Sequence, residues 1–277
     1  IPHWSRFANQ RQRRIRNRVR LSLRAYYHSR RYEKGLKTLK RADKIVSISQ
    51  TTTNDIIRLG HIKPEKIKTI YLAPSFSKIT TTPDRLGSME EIKKMDKRYL
   101  FFIGGTDARR EVHEIVFTHN MLNARGISFD LVLAGNEFVP NSTEISTITK
   151  NAIETSSYKD KIHLLGKVDE YEKRVAFQHA FAFVFPTLYE GFGLPILEAM
   201  QCNTPVITYN NPATKEIAGN AAIYTDEANG HGIYKSVVSL LEDKKKVTRI
   251  TKLGRDHVNS FSWDKTGKET VDYIFSN

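Results

Sequence analysis

From Tyr99 to Tyr224 the chain repeats one rhythm: an apolar run of three to five residues, then a longer segment with helical spacing. The apolar runs fall at residues 99–103, 129–133, 161–165, 181–185, 205–208 and 222–224. Between them the pattern predicts helices at 109–123, 143–154, 170–180, 195–201 and 213–218, and three more close the chain at 232–242, 246–260 and 263–275. Short strands alternating with helices mean βαβ units, hence a parallel sheet covered on both faces. In such a sheet ligands bind at the carboxyl ends of the strands, so the chemistry is expected in the loops that leave them.

The first third is organised differently. Residues 44–49 read as a strand, 51–59 as a capped helix closed by Gly60, and 67–72 as another strand ending at Ala73-Pro74. The stretch that follows is polar, rich in Ser, Thr and Lys, and has no sustained periodicity, so a linker is expected at 75–98. The division is thus 1–74, then the linker, then a domain at 99–262, with a C-terminal helix at 263–277 placed to cross back to the first domain.

Charge is concentrated at one end. Of a net +14, the segment from Ile1 to Lys44 holds 15 basic and 2 acidic residues. Between Arg11 and Lys40, Ile15, Val19, Leu23, Tyr26 and Tyr27 recur at helical spacing, with arginine on the other faces. This segment lacks the apolar core of a signal peptide, and the longest apolar run, residues 180–185, is far too short to cross a bilayer. The single cysteine, Cys202, excludes an internal disulfide and fits a reducing cytoplasm. The chain begins with Ile1 in place of Met, as a fragment of a longer protein would.

The densest chemical signal runs from Phe185 to Met200: Phe-Pro-Thr-Leu-Tyr-Glu190-Gly191-Phe192-Gly193-Leu194-Pro195-Ile-Leu-Glu198-Ala-Met. A strand empties into a loop with two glycines, and Pro195 opens a helix in its first turn. The glycines allow close backbone approach, and the free N–H groups of the helix start favour an anion. Glu190 and Glu198 can flank such a site, which suits a ligand carrying both phosphate and hydroxyl groups. Taken alone, the pattern also fits a plain helix N-terminus whose Glu198 complements the dipole.

This segment resembles the donor-binding motif of glycosyltransferase family 4, whose members are retaining, nucleotide-sugar-dependent enzymes. The likeness spans two glutamates separated by seven residues, the Glu-Gly-Phe-Gly-Leu-Pro stretch, and the Thr204-Pro205-Val206-Ile207 turn into the next strand. It implies an α/β protein of GT-B type, with a Rossmann-like donor domain preceded by an incomplete Rossmann-like acceptor domain. It also implies that Glu198 holds ribose hydroxyls, that Glu190 holds the sugar, and that the backbone of Gly191, Phe192, Gly193 and Leu194 faces the diphosphate.

Weaker marks accompany it. The stretch Phe101-Phe-Ile-Gly104-Gly105-Thr-Asp-Ala-Arg109-Arg110 resembles the first strand and loop of the family's donor domain, where a basic pair reaches the diphosphate. Arginine suits that role through its planar fork. Here Glu111 stands where the family commonly has Asn. Gly135, and Lys167 with Val168, end two runs that resemble the strand ends holding the nucleobase. His163 reads as structural, Phe261-Ser-Trp263 as packing, and no metal or other cofactor is expected, because Asp-x-Asp pairs and metal-ligand clusters are missing from the sequence.

The expected activity is sugar transfer from a nucleoside diphosphate to an acceptor hydroxyl in glycan or glycolipid assembly. The alternative is a donor-binding subunit that works with a second chain. The resemblance places the basic helix in the acceptor domain, where it would meet a lipid-linked acceptor or an anionic membrane face from the cytoplasmic side. A solvated helix face is the plain alternative. Nucleic acid is the least favoured partner, because no nucleic-acid motif accompanies the charge.

Overall fold

The computed structural model describes residues 34–74 and 86–276. Most of the expected basic helix therefore lies outside the described residues, of which 34–40 are helical. Eight strands follow in chain order: β1 Ile45–Ser47, β2 Ile67–Thr69, β3 Tyr99–Ile103, β4 Asp130–Ala134, β5 Ile162–Gly166, β6 Ala182–Phe185, β7 Val206–Thr208 and β8 Ile223–Tyr224.

Strands β3 to β8 form one parallel sheet in the order β5-β4-β3-β6-β7-β8. Both faces carry helices, so β3 and β6 are apolar at nearly every position: Tyr99, Leu100, Phe101, Phe102, Ala182, Phe183 and Val184 are fully buried. Phe101 meets Phe177 edge-on with ring centres 5.0 Å apart, and Phe177 meets Phe183 at 5.1 Å. These rings fill the layer beneath helix Glu170–His179. The Tyr99 hydroxyl donates to the Ala176 carbonyl at 2.6 Å, so the polar tip of a buried ring is satisfied. Cys202 is buried nearby, which pushes its thiol pKa up to about 12 and leaves it protonated and inert.

Strands β1 and β2 form a separate two-stranded parallel sheet, joined by helix Gln50–Gly60. Helix Trp263–Phe275 lies against this unit: Thr266 Oγ1 donates to the Tyr71 carbonyl and Tyr273 Oη to the Lys66 carbonyl, each at 2.6 Å. Lys44 Nζ in turn donates to the Tyr273 carbonyl at 2.9 Å. Among the described residues no helix is long and apolar enough to cross a membrane.

Three elements depart from expectation. Part of the segment read as linker is a helix, Leu86–Lys94, whose Met89 and Ile92 are buried in the main core. The helix expected at 109–123 is broken. Ala108–Arg110 form a separate 3₁₀ turn, and the α-helix runs only from Val112 to Ala124. The break lies at Glu111, which adopts left-handed backbone angles, φ 35° and ψ 40°. The helix expected at 143–154 begins only at Thr147.

Candidate active site

The sheet order fixes where a site can be. The chain enters at β3, adds β4 and β5 on one side, and returns to lay β6, β7 and β8 on the other. The order reverses between β3 and β6, so the loops leaving these two strands start from adjacent carboxyl ends, the place where open α/β sheets bind their ligands. The β3 loop carries Arg109 and Arg110, and the β6 loop carries Glu190. The backbone joins them, since the Leu188 N–H donates to the Arg109 carbonyl at 2.8 Å.

Glu190 is buried. Its Oε1 lies 2.5 Å from Arg109 Nη1 and 3.4 Å from Arg110 Nε, and it accepts from Thr187 Oγ1 at 3.3 Å. Arg109 has further acceptors: Nη1 donates to the Tyr189 carbonyl at 2.8 Å, and Nε lies 2.9 Å from Asp107 Oδ1. Arg110 is placed differently. Its Nε is enclosed yet makes no hydrogen bond, with Asp107 Oδ2 at 3.6 Å. A Cβ added to Gly104 would sit 2.3 Å from Arg110 Nη1, so the guanidinium rests against the start of the loop. The two arginines occupy a turn outside the helix because Glu111 reverses the chain there. A left-handed non-glycine residue costs about 1–2 kcal/mol, least for Asn and Asp, so Glu111 holds this turn at a cost.

The neighbouring loops are laced to the same point. Gly135 has φ 140°, and a Cβ there would lie 2.2 Å from the Gly104 carbonyl oxygen, so only glycine lets the ends of β3 and β4 touch. Gly105 abuts Glu137, whose carboxylate accepts from the Thr106 N–H at 2.8 Å and from the Thr106 hydroxyl. Glu137 thus shapes the β3 loop from β4. Lys167 and Val168 leave the end of β5, an outer strand separated from β3 by β4.

The residues of the Gly-Phe-Gly stretch divide by role. Gly193, at φ 105°, caps helix Leu194–Gln201. Among the described residues no acceptor meets the backbone N–H groups of Gly191, Phe192, Gly193 or Leu194. Four unpaired amides leading into a helix start make a surface that can meet an anion. The Phe192 side chain is not part of it. It is buried in an aromatic cluster, with ring centres 6.2 Å from Tyr71 and 6.4 Å from Phe261.

Glu198 is held apart from Glu190 in a second ion-pair cluster. Its Oε1 accepts from Lys173 Nζ at 2.6 Å, and Lys173 also meets Glu170 at 2.9 Å. Burial alone would lower the Lys173 pKa, but these two carboxylates outweigh it and hold the ammonium above its ordinary value. Sequence reasoning missed Lys173. Its spacing from Glu170 signals a helical pair, whereas its contact with Glu198, 25 residues on, depends on how two helices pack.

His163 pairs with Asp130 at 3.1 Å, near the starts of β5 and β4 and away from the carboxyl ends, so it is structural. His119 is fully buried, and burial lowers its pKa to about 4, so it stays neutral and bonds the Phe129 carbonyl at 3.0 Å. Among the described residues no group of three His, Cys, Asp or Glu side chains is arranged to hold a metal.

Residues 87–257, more than half of the chain, match the family model described as glycosyl transferases group 1. The chain is 27% identical over 243 residues to O-antigen chain mannosyltransferase B of Escherichia coli, covering 87% of this chain and 62% of that protein. It is 25% identical over 207 residues to O-antigen chain mannosyltransferase RfbU of Salmonella typhimurium, covering 73% of this chain and 53% of that one. It thus spans only part of the length of these relatives. Among solved structures it is similar to Anabaena HepE in complex with UDP and glucose, at 14% identity and a TM-score of 0.71, covering 88% of this chain and 67% of that one. It is also similar to WaaG, a glycosyltransferase of lipopolysaccharide biosynthesis, at 12% identity and a TM-score of 0.66, covering 84% of this chain and 63% of that one. These likenesses are of fold, the GT-B type, with the six-stranded sheet as its Rossmann-like donor half.

Proposed function

Because the chain belongs to the group 1 glycosyl transferases, we propose that it acts as a retaining enzyme of glycosyltransferase family 4. In this reading it transfers a sugar from a nucleoside diphosphate to an acceptor hydroxyl in polysaccharide assembly. The observation that carries the reading is the contact of Glu190 with Arg109 and Arg110 at the point where the strand order reverses. A carboxylate that accepts hydroxyl protons sits beside cations that can meet a diphosphate, and the two parts of a sugar nucleotide need just that pairing. The printed names of the two relatives, both mannosyltransferases of O-antigen chains, favour mannose as the sugar.

The roles then follow from each side chain's free valences. Arg109 already has three acceptors within 2.9 Å and serves to hold Glu190, whereas Arg110 has only longer carboxylate contacts, 3.4 Å to Glu190 and 3.6 Å to Asp107, so its guanidinium is the better candidate for the diphosphate. The unpaired amides of Gly191–Leu194 add partial positive charge on the other side. Glu198, whose Oε1 is taken by Lys173, has its second oxygen left for ribose hydroxyls. As the bond from the anomeric carbon to the diphosphate breaks, the acceptor oxygen attacks from the same face and its proton passes to the departing phosphate. The Arg110 guanidinium and a helix start supply the charge stabilisation that the leaving group needs, so the reaction is drawn without a metal.

The acceptor is read as lipid-linked, with work at the cytoplasmic face of a membrane. The support is the 15 basic residues between Ile1 and Lys44, each worth about 1 kcal/mol beside an anionic surface. The test is turnover of the purified chain with nucleoside-diphosphate mannose and a lipid-linked glycan acceptor, with the product anomer assigned by NMR. Retained anomeric configuration supports the reading. Inversion removes the mechanism, and turnover only with a second polypeptide present turns the reading to a donor-binding subunit.

A further inference from the structure

Helix Gln50–Gly60 belongs to the small sheet, yet its amino-terminal turn faces the β6 loop. Ser49 caps this helix: its hydroxyl oxygen accepts from the Thr52 N–H at 3.0 Å. A cap only has to accept, so the hydroxyl keeps its proton for another partner. Two acceptors lie within its reach, the Gly191 carbonyl at 2.5 Å and Thr52 Oγ1 at 2.9 Å, and the shorter contact takes the proton. Thr52 Oγ1 donates to the same oxygen at 3.0 Å, so both lone pairs of Gly191 are engaged. Ser49 is fully buried, where a mispaired hydroxyl would be costly.

Further contacts brace this arrangement. Tyr189 Oη donates to Asp55 Oδ2 at 2.6 Å, from the residue next to Glu190. Glu216 accepts from the Gln50 N–H at 2.5 Å, and from the Thr51 N–H at 2.8 Å, which fixes the helix start against the main domain.

We propose that Ser49 and Thr52 are positioning residues for the β6 loop, acting through the Gly191 carbonyl to orient the backbone on which Glu190 stands. The proposal rests on the glycosyl-transfer reading for its kinetic consequence and on geometry alone for its structural one. A peptide unit is planar and trans, so its carbonyl and the following N–H point in opposite directions. Holding the Gly191 carbonyl toward the helix turns the Phe192 N–H away from it, and this N–H is one of the four unpaired amides. Glycines at 191 and 193 leave the loop free to rotate once those two bonds are gone. The small unit, remote in sequence, thereby sets the direction of an anion-binding amide in the large one.

The requirement is chemical and specific. Ser, Thr, Asp and Asn all cap helices, but only a hydroxyl accepts from an amide and also donates to a carbonyl through one oxygen. The test therefore compares Ser49→Ala with Thr52→Val, combined in one chain, against Ser49→Thr with Thr52→Ser, which keeps both donors. Amide hydrogen exchange over residues 186–195 is read by mass spectrometry, and turnover and nucleoside-diphosphate affinity are read alongside. In the first variant exchange across the loop is expected to speed up by about tenfold or more, and turnover to fall by about 10- to 100-fold, a magnitude typical of misplaced catalytic groups. Its affinity for the diphosphate is expected to fall too, by about threefold or more, because the Phe192 N–H is no longer held in place, and the second variant restores exchange, turnover and affinity.

Unchanged loop exchange in the Ala/Val variant overturns the proposal. So does a matching gain in exchange throughout the sheet, which would mark a merely structural role. If the unmodified chain turns over no sugar nucleotide, the functional reading fails while the exchange result still decides the positioning role.

Discussion

Replacing Glu190 with glutamine is expected to lower turnover by about 10³-fold while nucleoside-diphosphate affinity stays level or rises. The two directions come from one geometry. Glu190 is the carboxylate that the sugar hydroxyls would need, and removing one preorganised group that acts in the transition state typically costs about 10²–10³ in rate. The same carboxylate neutralises Arg109 and lies 3.4 Å from Arg110. An uncharged amide of the same shape releases that positive charge toward a diphosphate. The fold should survive, because Arg109 keeps Asp107 and the Tyr189 carbonyl as acceptors. Initial rates and calorimetric titration check both halves. Turnover within about threefold of the unmodified chain would remove Glu190 from the mechanism.

Replacing Arg110 with methionine should move binding the other way. Methionine keeps an unbranched apolar side chain at this position, while the guanidinium that rests against Gly104 is lost. A charge-assisted contact to phosphate is among the strongest hydrogen bonds a side chain makes. Affinity for the diphosphate is expected to fall about 10- to 100-fold and turnover by about 10²–10³-fold, since charge on the leaving group grows in the transition state. Lysine should restore part of the affinity and less of the rate, because a point charge lacks the planar fork. The comparison with Arg109→Met separates the pair. Arg109 is bonded within the protein on several sides, so its loss should disturb Glu190 and the Leu188–Glu190 backbone more than it weakens diphosphate binding. Equal loss of affinity in both variants would contradict the division of roles.

Much of this site could be read before any coordinates. The strands of the six-stranded sheet are apolar because both faces are covered, and that makes them visible in a one-dimensional pattern. The Glu190 to Glu198 stretch is contiguous, so its glycines, proline and carboxylates appear in register. What stayed hidden depends on distant packing or on a single backbone angle. The helical periodicity runs through Arg109 and Arg110 without a sign that Glu111 would turn left-handed and set them outside the helix. Helix Leu86–Lys94 buries Met89 and Ile92 and is otherwise so polar that it reads as a linker. Lys173 meets Glu198, and Ser49 meets Gly191 across 142 positions, only because the sheet and its helices bring them together. A sequence pattern records which residues a helix buries, and it is silent on which carbonyl a hydroxyl will find.

If the loops leaving β3 and β6 hold a nucleoside diphosphate between them, calorimetric titration of the full chain will detect it. UDP, GDP, ADP and dTDP are titrated in turn into the unmodified chain and into Glu198→Ala. Saturable binding of one nucleotide in preference to the others is expected, weakened about tenfold or more in the variant by loss of the hydroxyl acceptor. Binding of none of the four, or equal binding with and without the Glu198 carboxylate, would contradict it.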